Sequence, residues 1–404
     1  MKKIMCFFLV LTVLFSISQS CKDGIDTMSV YNDNQLEQGV IENFISEGEI
    51  LQTAGEIFYS LNPDPSTYSS DSPSAGKGKK VSNIKTKKDK HNAPAYYIAN
   101  FEDEGWIILS ADRRTVSIMA YSEKGSFDPD IEDMPLGLSS WMNTMTKTVE
   151  YARETNINLN TLPKTNHENI QTYASGGENT DVSYDGDTHK ITCPLNIRVQ
   201  LTTETGWRQE EGYNGKMPLV CNGNMRAKGG CATVALAQIM KYHSYPSSYN
   251  TGDGYSPTGQ TSYYNWSLMV PSAVTTQVQQ LYVDIATDAN ATYSCTSTTT
   301  YTSDVLATLY RFGYSYNYAV YSTETCLFEL LYGRPSLLYA RDIAENVGHL
   351  WICDGYAILN DEYVLHMNWG WAPRYNGYYW ESTWLSGAYN FNYDKCIAYN
   401  IKPR

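Results

Sequence analysis

The chain has 404 residues, of which 42% are hydrophobic and 18% are charged, and its formal net charge is -13 at pH 7. This composition is typical of a globular protein with two or three domains and excludes a largely disordered chain. The negative charge argues against nucleic acid or an anionic membrane surface as a general partner.

The first 21 residues have the build of an export signal. Two lysines precede a short apolar run, which is too short to be identified as a membrane span, and small polar residues follow. Ser20 precedes Cys21, which resembles a bacterial lipoprotein signal, although Ser18 stands where a branched aliphatic residue is usual. We predict residues 1–21 as a lipoprotein-type signal, with a lipid on Cys21 as the membrane attachment and an ordinary cleaved signal as the alternative. Either signal predicts an exported protein, at the outer membrane or cell surface or secreted.

Residues 22–160 are predicted to form a small α+β domain. Their Pro-, Ser- and Lys-rich stretch, 61–94, is expected to be an exposed loop. Three runs with β-type composition follow, and then a helical pattern over 134–155. The predicted strands are Tyr96–Phe101, Trp106–Ser110 and Val116–Tyr121, and the apolar stripe of the helix is Leu136, Trp141, Met145 and Val149.

Residues 161–190 have almost no apolar periodicity and are predicted to be a linker. Linkers of this composition are preferred sites of proteolysis, so we expect an activating cleavage here. Residues 191–404 are aromatic-rich and globular. This order of segments is typical of a secreted zymogen, although a two-domain binding lipoprotein would have the same order.

The stretch "GGCATVALAQIMKYHSYP" combines a glycine turn with a helical pattern. Cys231 would lie in the first helical turn, where the unpaired backbone N–H groups lower a thiol pKa and favour the thiolate. The alternative is a buried cysteine that only fills space. Without the two cysteines of the signal region seven remain, an odd number that indicates a free thiol beside possible disulfides. No pairing can be deduced, and the absence of a CxxC motif or Cys/His cluster predicts no metal or other cofactor.

A thiol nucleophile needs a base, and three histidines follow Cys231 in the sequence. His243 lies on the same helix about 18 Å away, which is too far. His366 alternates within a strand pattern and is interpreted as a packed or edge residue. His349 precedes a β-type run and is the predicted base.

A predicted hairpin would bring His349 close to an orienting residue. Asp354-Gly355 is interpreted as a turn between two strands, which would place Asn368 across from His349 and Trp369 beside them as a shield from water. Gln209, upstream of the nucleophile, could supply an oxyanion donor together with the Cys231 N–H. The order Cys, His, Asn and its spacing are those of papain-like proteases.

The motifs together resemble the streptopain-like cysteine peptidases. They are "GWRQ", "GGCATVALAQIMKYHSYP", "GHLWICDGY" and "HMNWGW…NGYY", and the first domain resembles the inhibitory propeptide of that family in "GWIILSADRRTVSIMAYSEKGSFDPD". The resemblance implies a papain-like α+β fold, with the nucleophile on a helix packed against an antiparallel sheet, behind a small α+β prodomain. It implies Cys231 as nucleophile, His349 as base, Gln209 in the oxyanion site, and Asn368 and Trp369 as orienting and shielding residues. Ala372-Pro373 departs from the glycine-rich loop of the family and is expected to stiffen it.

The predicted function is hydrolysis of protein or peptide substrates by an exported zymogen whose own propeptide is the inhibitor. Two alternatives stay open. A surface lipoprotein on the same scaffold could bind host protein or glycan without catalysis, and the same residues could transfer the acyl group to an amine instead of water.

Overall fold

The computed structural model describes most of the chain after its first 41 residues. The described ranges are 42–61, 78–131, 134–161, 170–173, 183–185, 190–194, 199–201, 206–250, 261–342, 347–359, 362–371, 373–380 and 393–404. The predicted signal and Cys21 lie outside these ranges. No helix within them has the length and apolar character needed to cross a membrane.

The first domain packs two helices on a four-stranded antiparallel sheet. Its elements are α1 (Glu47–Leu61), β1 (Val81–Lys88), β2 (Pro94–Phe101), β3 (Trp106–Ser110), β4 (Ile118–Ser122) and α2 (Leu136–Thr155). The three predicted strands and the predicted helix are thereby confirmed. The structure also buries Trp141, Met145 and Val149 of the predicted apolar stripe.

The prediction of a loop for the whole lysine-rich stretch was wrong. Its second part forms β1, which pairs with β2 along its length and lies at the edge of the sheet. An edge strand has one unpaired side and a solvent-facing surface, and charged side chains there oppose pairing with other chains. The lysines therefore fit an edge strand as well as they fit a loop.

The segment predicted as a linker contains short strands that the sequence pattern did not indicate. β5 (Ile170–Tyr173) pairs in parallel with β7 (Lys190–Pro194), and β6 (Ser183–Asp185) pairs with β7 in the antiparallel sense. Much of the rest of this segment lies outside the described residues. The strand β8 (Val199–Gln200) then joins the main sheet.

The second domain begins with a helical half. Its helices are α3 (Cys231–His243), α4 (Thr276–Asp288), α5 (Thr302–Arg311) and α6 (Thr323–Leu331). A short hairpin of β9 (Leu219–Val220) with β10 (Met225–Arg226) precedes α3. Two more connect α3 to α4 and α4 to α5, formed by β11 (Ser248–Asn250) with β12 (Thr261–Tyr263) and by β13 (Thr292–Tyr293) with β14 (Thr298–Thr299). Single 3-10 turns occur at Leu159–Thr161, Trp266–Leu268 and Pro373–Tyr375.

The remaining strands form one sheet together with the first domain. They are β15 (Tyr314–Val320), β16 (Ser336–Asp342), β17 (Val347–Leu359), β18 (Glu362–Asn368), β19 (Gly377–Trp380) and β20 (Tyr393–Pro403). The strand order is β1-β2-β3-β4-β19-β18-β17-β16-β20-β15. β4 pairs with β19, so the sheet of the first domain continues directly into that of the second.

Strand β17 separates two hydrophobic cores. Trp351 and Cys353 pack into a core that the two domains share, whereas Leu350 and Ile352 pack into the core around α3 and α4. This alternation follows from the two-residue period of a strand. Any residue of β17 near Trp351 therefore faces either the first domain or the nucleophile helix.

Candidate active site

Cys231 is the first residue of α3, as the glycine turn and helical pattern predicted. The preceding Gly230 has a φ of 85°, a left-handed conformation that favours glycine and directs the chain abruptly into the helix. The thiol is free and accepts backbone hydrogen bonds, one of them from Leu350 of β17. The start of α3 therefore places the thiol against the backbone of Leu350, the residue that directly follows His349.

The pKa of the Cys231 thiol differs in direction from the sequence-based expectation. Burial is the largest effect and raises the pKa, although the hydrogen bonds from the backbone of Leu350, Ala232 and Cys231 itself lower it. Removal from water disfavours the charged thiolate. A raised pKa favours the neutral, less nucleophilic form of the thiol.

His349 is buried in a group of aromatic rings. Its ring centroid lies 5.8 Å from that of Trp351 and 6.3 Å from that of Trp369. Burial lowers the pKa of His349 to about 4, against an ordinary value of 6.5, and a hydrogen bond to the backbone of Trp369 opposes this shift. No described residue hydrogen-bonds its buried Nε2. His349 is thus neutral at physiological pH.

Asn368 does not lie across from His349 in the strand ladder. It pairs with Ile352, so it shares the face that Ile352 presents to α3, whereas His349 shares the face of Trp351. Asn368 therefore pairs three residues further along β17 than expected. Because side chains alternate along a strand, this shift by an odd number places Asn368 and His349 on opposite faces of the sheet. The expected cross-strand pairing was therefore wrong.

Asn368 instead stabilises the backbone around Trp369, which hydrogen-bonds His349. Its Oδ1 accepts from Gln238 Nε2 of α3 at 3.2 Å and from Gly370 N at 3.2 Å. Trp369 N donates to Asn376 Oδ1 at 3.1 Å. These bonds hold both sides of Trp369, whose backbone hydrogen-bonds His349. Asn368 thus connects the nucleophile helix to the support of the histidine.

Gln209 lies beside the nucleophile turn. Its backbone carbonyl accepts from Gly229 N at 2.8 Å, two residues before Cys231. The side chain is half-buried. Gln209 is thereby tied to the turn of Cys231, and Asn368 lies on the face of the sheet that packs against the same helix, whereas the ring of His349 lies on the other face with Trp351 and Trp369.

Asp354-Gly355 is not the turn that the sequence pattern suggested. β17 continues through it for 13 residues, and the ladder with β18 shifts between Cys353 and Gly355 as in a β-bulge. The buried Asp354 carboxylate lies 2.5 Å from Nδ1 of His366. Both residues are buried, which agrees with the interpretation of His366 as a packed or edge residue.

The first domain covers the site with the start of α2. An added Cβ at Gly137 would lie 2.8 Å from a ring atom of Trp369, 2.9 Å from one of His349 and 3.2 Å from one of Trp351. Only a glycine permits this approach of a helix to three rings. The start of α2 therefore packs directly against the ring of the buried His349.

Contacts along α2 and β4 hold this arrangement. Trp141 Nε1 donates to the carbonyl of Trp380 at 3.0 Å, and Tyr121 stacks on Tyr378 with ring centroids 5.1 Å apart. At the far end of α2, Arg153 forms buried ion pairs with Asp112 and Asp89. Breaking a buried pair on one side is costly, so α2 is anchored at both ends.

Several of these residues were not singled out from the sequence. Gly137, Trp351, Gln238 and Asn376 act through packing or hydrogen bonds that connect distant segments, and no local pattern marks them. One disulfide joins Cys221 to Cys295, a pairing that the sequence left open. Among the described residues, no group of three or more His, Cys, Asp or Glu side chains is placed to hold a metal.

Comparison with known proteins identifies two domains. Residues 207–379 match the peptidase C10 family, and residues 42–149 match the Spi protease inhibitor. The first match spans the nucleophile turn and the three strands that carry the histidine and its support. The second spans both helices and all four strands of the first domain up to Val149.

Individual relatives cover most of the chain at low identity. Streptopain of Streptococcus pyogenes is 24% identical over 317 residues, which cover 70% of this chain and 73% of that protein. The thiol protease/hemagglutinin PrtT of Porphyromonas gingivalis is 25% identical over 315 residues, 68% of this chain and 32% of that protein.

A solved structure shows the same fold. A fragment of prointerpain A from Prevotella intermedia matches with a TM-score of 0.53 at 20% identity, covering 78% of this chain and 97% of the fragment. The predicted α+β class, a papain-like protease fold behind a small α+β prodomain, is thereby confirmed.

Proposed function

The chain carries a cysteine peptidase domain of the peptidase C10 family behind a Spi protease inhibitor domain, and we propose that it is the zymogen of an exported endopeptidase with Cys231 and His349 as catalytic dyad. The observation that carries this proposal is the position of the thiol. It lies at the start of α3 and accepts a hydrogen bond from Leu350, the neighbour of His349. Nucleophile and base thus come from a helix and a strand that pack together.

The proposed reaction is acyl transfer to water in two stages. His349 takes the proton of the Cys231 thiol, and the thiolate attacks the peptide carbonyl carbon. The oxyanion is stabilised by the Gln209 side-chain amide and the Cys231 N–H. The amine leaves with the proton from His349, and a water molecule deprotonated by His349 then releases the acid and restores the thiol.

Asn368, Trp369 and the prodomain have supporting roles in this proposal. Asn368 and Trp369 keep the imidazole oriented through the backbone at Gly370 and Trp369. The prodomain, residues 22–160, inhibits by placing Gly137 against the His349 ring. Cleavage within the linker, residues 161–190, would let it leave and admit a protein or peptide substrate.

Acid is expected to favour release of the prodomain. His349 has a pKa of about 4 while it is covered, and this pKa returns toward its ordinary 6.5 on exposure. Between these values the released form binds more protons, so docking is strongest above pH 6.5 and weakens as pH falls toward 4. Gel filtration of the linker-cut Cys231→Ala chain at several pH values measures this dependence. His349→Asn in the same background should reduce the pH dependence of docking. If the dependence is unchanged, groups other than His349 cause it.

The N-terminal signal is proposed to yield a lipid-anchored enzyme. Lipidation of Cys21 adds apolar surface that the described domains do not provide, so the chain made in a lipoprotein-processing bacterium should enter the detergent phase of Triton X-114. Cys21→Ser should move it to the aqueous phase, whereas Cys6→Ser should not. A wild-type chain in the aqueous phase would indicate an ordinary cleaved signal.

Hydrolysis itself is tested with casein and the linker-cut chain. Activity should disappear when Cys231 is alkylated, and products should carry new carboxyl ends. Mass spectrometry in the presence of an added amine separates this result from acyl transfer, in which the amine appears in the product. A linker-cut chain that is inert toward casein would favour the non-catalytic binding protein.

A further inference from the structure

The turn before Cys231 is held from two sides. On one side, Gly229 N donates to the carbonyl of Gln209 at 2.8 Å, and Lys228 Nζ lies 2.7 Å from a carboxylate oxygen of Glu210. These bonds connect the candidate nucleophile to the candidate oxyanion residue. The distance between Cys231 and Gln209 in the active enzyme therefore depends on the position of residues 228–230.

Thr298 holds the other side of the same turn. Its Oγ1 donates to the carbonyl of Lys228 at 2.6 Å. Its Cγ2 would lie 3.1 Å from a Cβ added at Gly230, so the side chain also packs against the residue that precedes Cys231. One threonine thus combines a hydrogen bond and a packing contact at the turn.

Thr298 lies on a hairpin that is too short to be rigid on its own. β13 and β14 have two residues each, and an isolated hairpin of this size is not stable in water. Cys295, in the loop of this hairpin, is bonded to Cys221 in the loop between β9 and β10. β10 ends at Arg226, directly before the nucleophile turn. The disulfide therefore fastens the hairpin of Thr298 to the segment that leads to Cys231.

We infer that Thr298, held in place by the Cys221–Cys295 disulfide, is a positioning residue for Cys231 and Gln209. This inference rests on the proposed protease function. The hydroxyl fixes the Lys228 carbonyl, and the methyl group limits movement of Gly230. A displacement of the turn moves the thiol and the Cys231 N–H relative to Gln209 and His349, and catalysis is sensitive to small displacements of this kind. An enzyme exported to an oxidising compartment can rely on such a disulfide.

The test compares Thr298→Val with Thr298→Ser in the linker-cut enzyme. The valine variant keeps the shape but loses the hydrogen bond, and we expect kcat to fall about tenfold with little change in KM. The serine variant should recover most of the lost kcat. Thr299→Val, one residue further on the same hairpin, serves as the matched control and should behave like the wild type.

A second readout separates positioning from general destabilisation. The pH dependence of Cys231 alkylation should shift in Thr298→Val while the Tm stays close to that of Thr299→Val. Cys221→Ala/Cys295→Ala should lower kcat in the same way. A Thr298→Val enzyme with wild-type kcat and alkylation profile overturns this inference alone. An inert wild type after the linker is cut contradicts the proposed function instead.

Discussion

Replacing Cys231 by alanine is expected to lower peptide hydrolysis by the processed enzyme at least about 10⁴-fold. The proposed mechanism has no second nucleophile, and what remains is the contribution of substrate binding and oxyanion stabilisation. The measurement is initial rates on a peptide substrate after removal of the prodomain. Folding should be unaffected, because the smaller alanine side chain occupies a helix start without a change in backbone conformation.

Another free thiol serves as the control. Cys396 lies on β20, is half-buried, is separated from β17 by strand β16 and has no role in the proposed mechanism. Cys396→Ala should therefore keep the wild-type rate. If Cys231→Ala retained substantial activity while Cys396→Ala lost it, the assignment of the nucleophile would be wrong.

Replacing Gly137 by leucine is expected to expose the active site without cleavage. A side chain at this position meets ring atoms of Trp369, His349 and Trp351 at 3.2 Å or less. Overpacking of this kind costs about 1–3 kcal/mol, which corresponds to an increase in the undocked fraction of about 5- to 150-fold. The rate at which iodoacetamide modifies Cys231 in the uncut chain reports that fraction.

The same substitution elsewhere in the prodomain is the control. A Cβ at Gly48 of α1 would have one neighbour, at 3.9 Å, so Gly48→Leu should leave the modification rate unchanged. Equal rates for Gly137→Leu and the wild type would show that α2 does not seal the site.

Local patterns in the sequence predicted the elements that have strong periodicity. The helix of Cys231 follows from the helical spacing of its apolar residues and the strand Trp106–Ser110 from a β-type run between turn signals, and both lie where the sequence placed them. Cys231 and His349 stay predictions as nucleophile and base, made from the chemistry that a thiol nucleophile needs and from the resemblance of the motifs. Each lies in a segment whose local pattern determines its structure.

Pairing between distant segments could not be predicted in this way. The contact of β4 with β19 joins residues near 120 to residues near 378, and the register that directs Asn368 toward α3 depends on a bulge at Asp354. The lysine-rich sequence of β1 was predicted to be a loop, because charge alone does not distinguish a loop from an edge strand. The occlusion by Gly137 likewise depends on the approach of two domains.

Incubation of purified residues 22–404 beside the Cys231→Ala variant, followed by intact mass over time, tests the central claim most directly. The wild type is expected to lose a fragment that ends between about 161 and 190 and then to cleave casein, while the variant does neither. The account is contradicted if both chains stay intact and the wild type remains inert toward casein after trypsin has opened the linker.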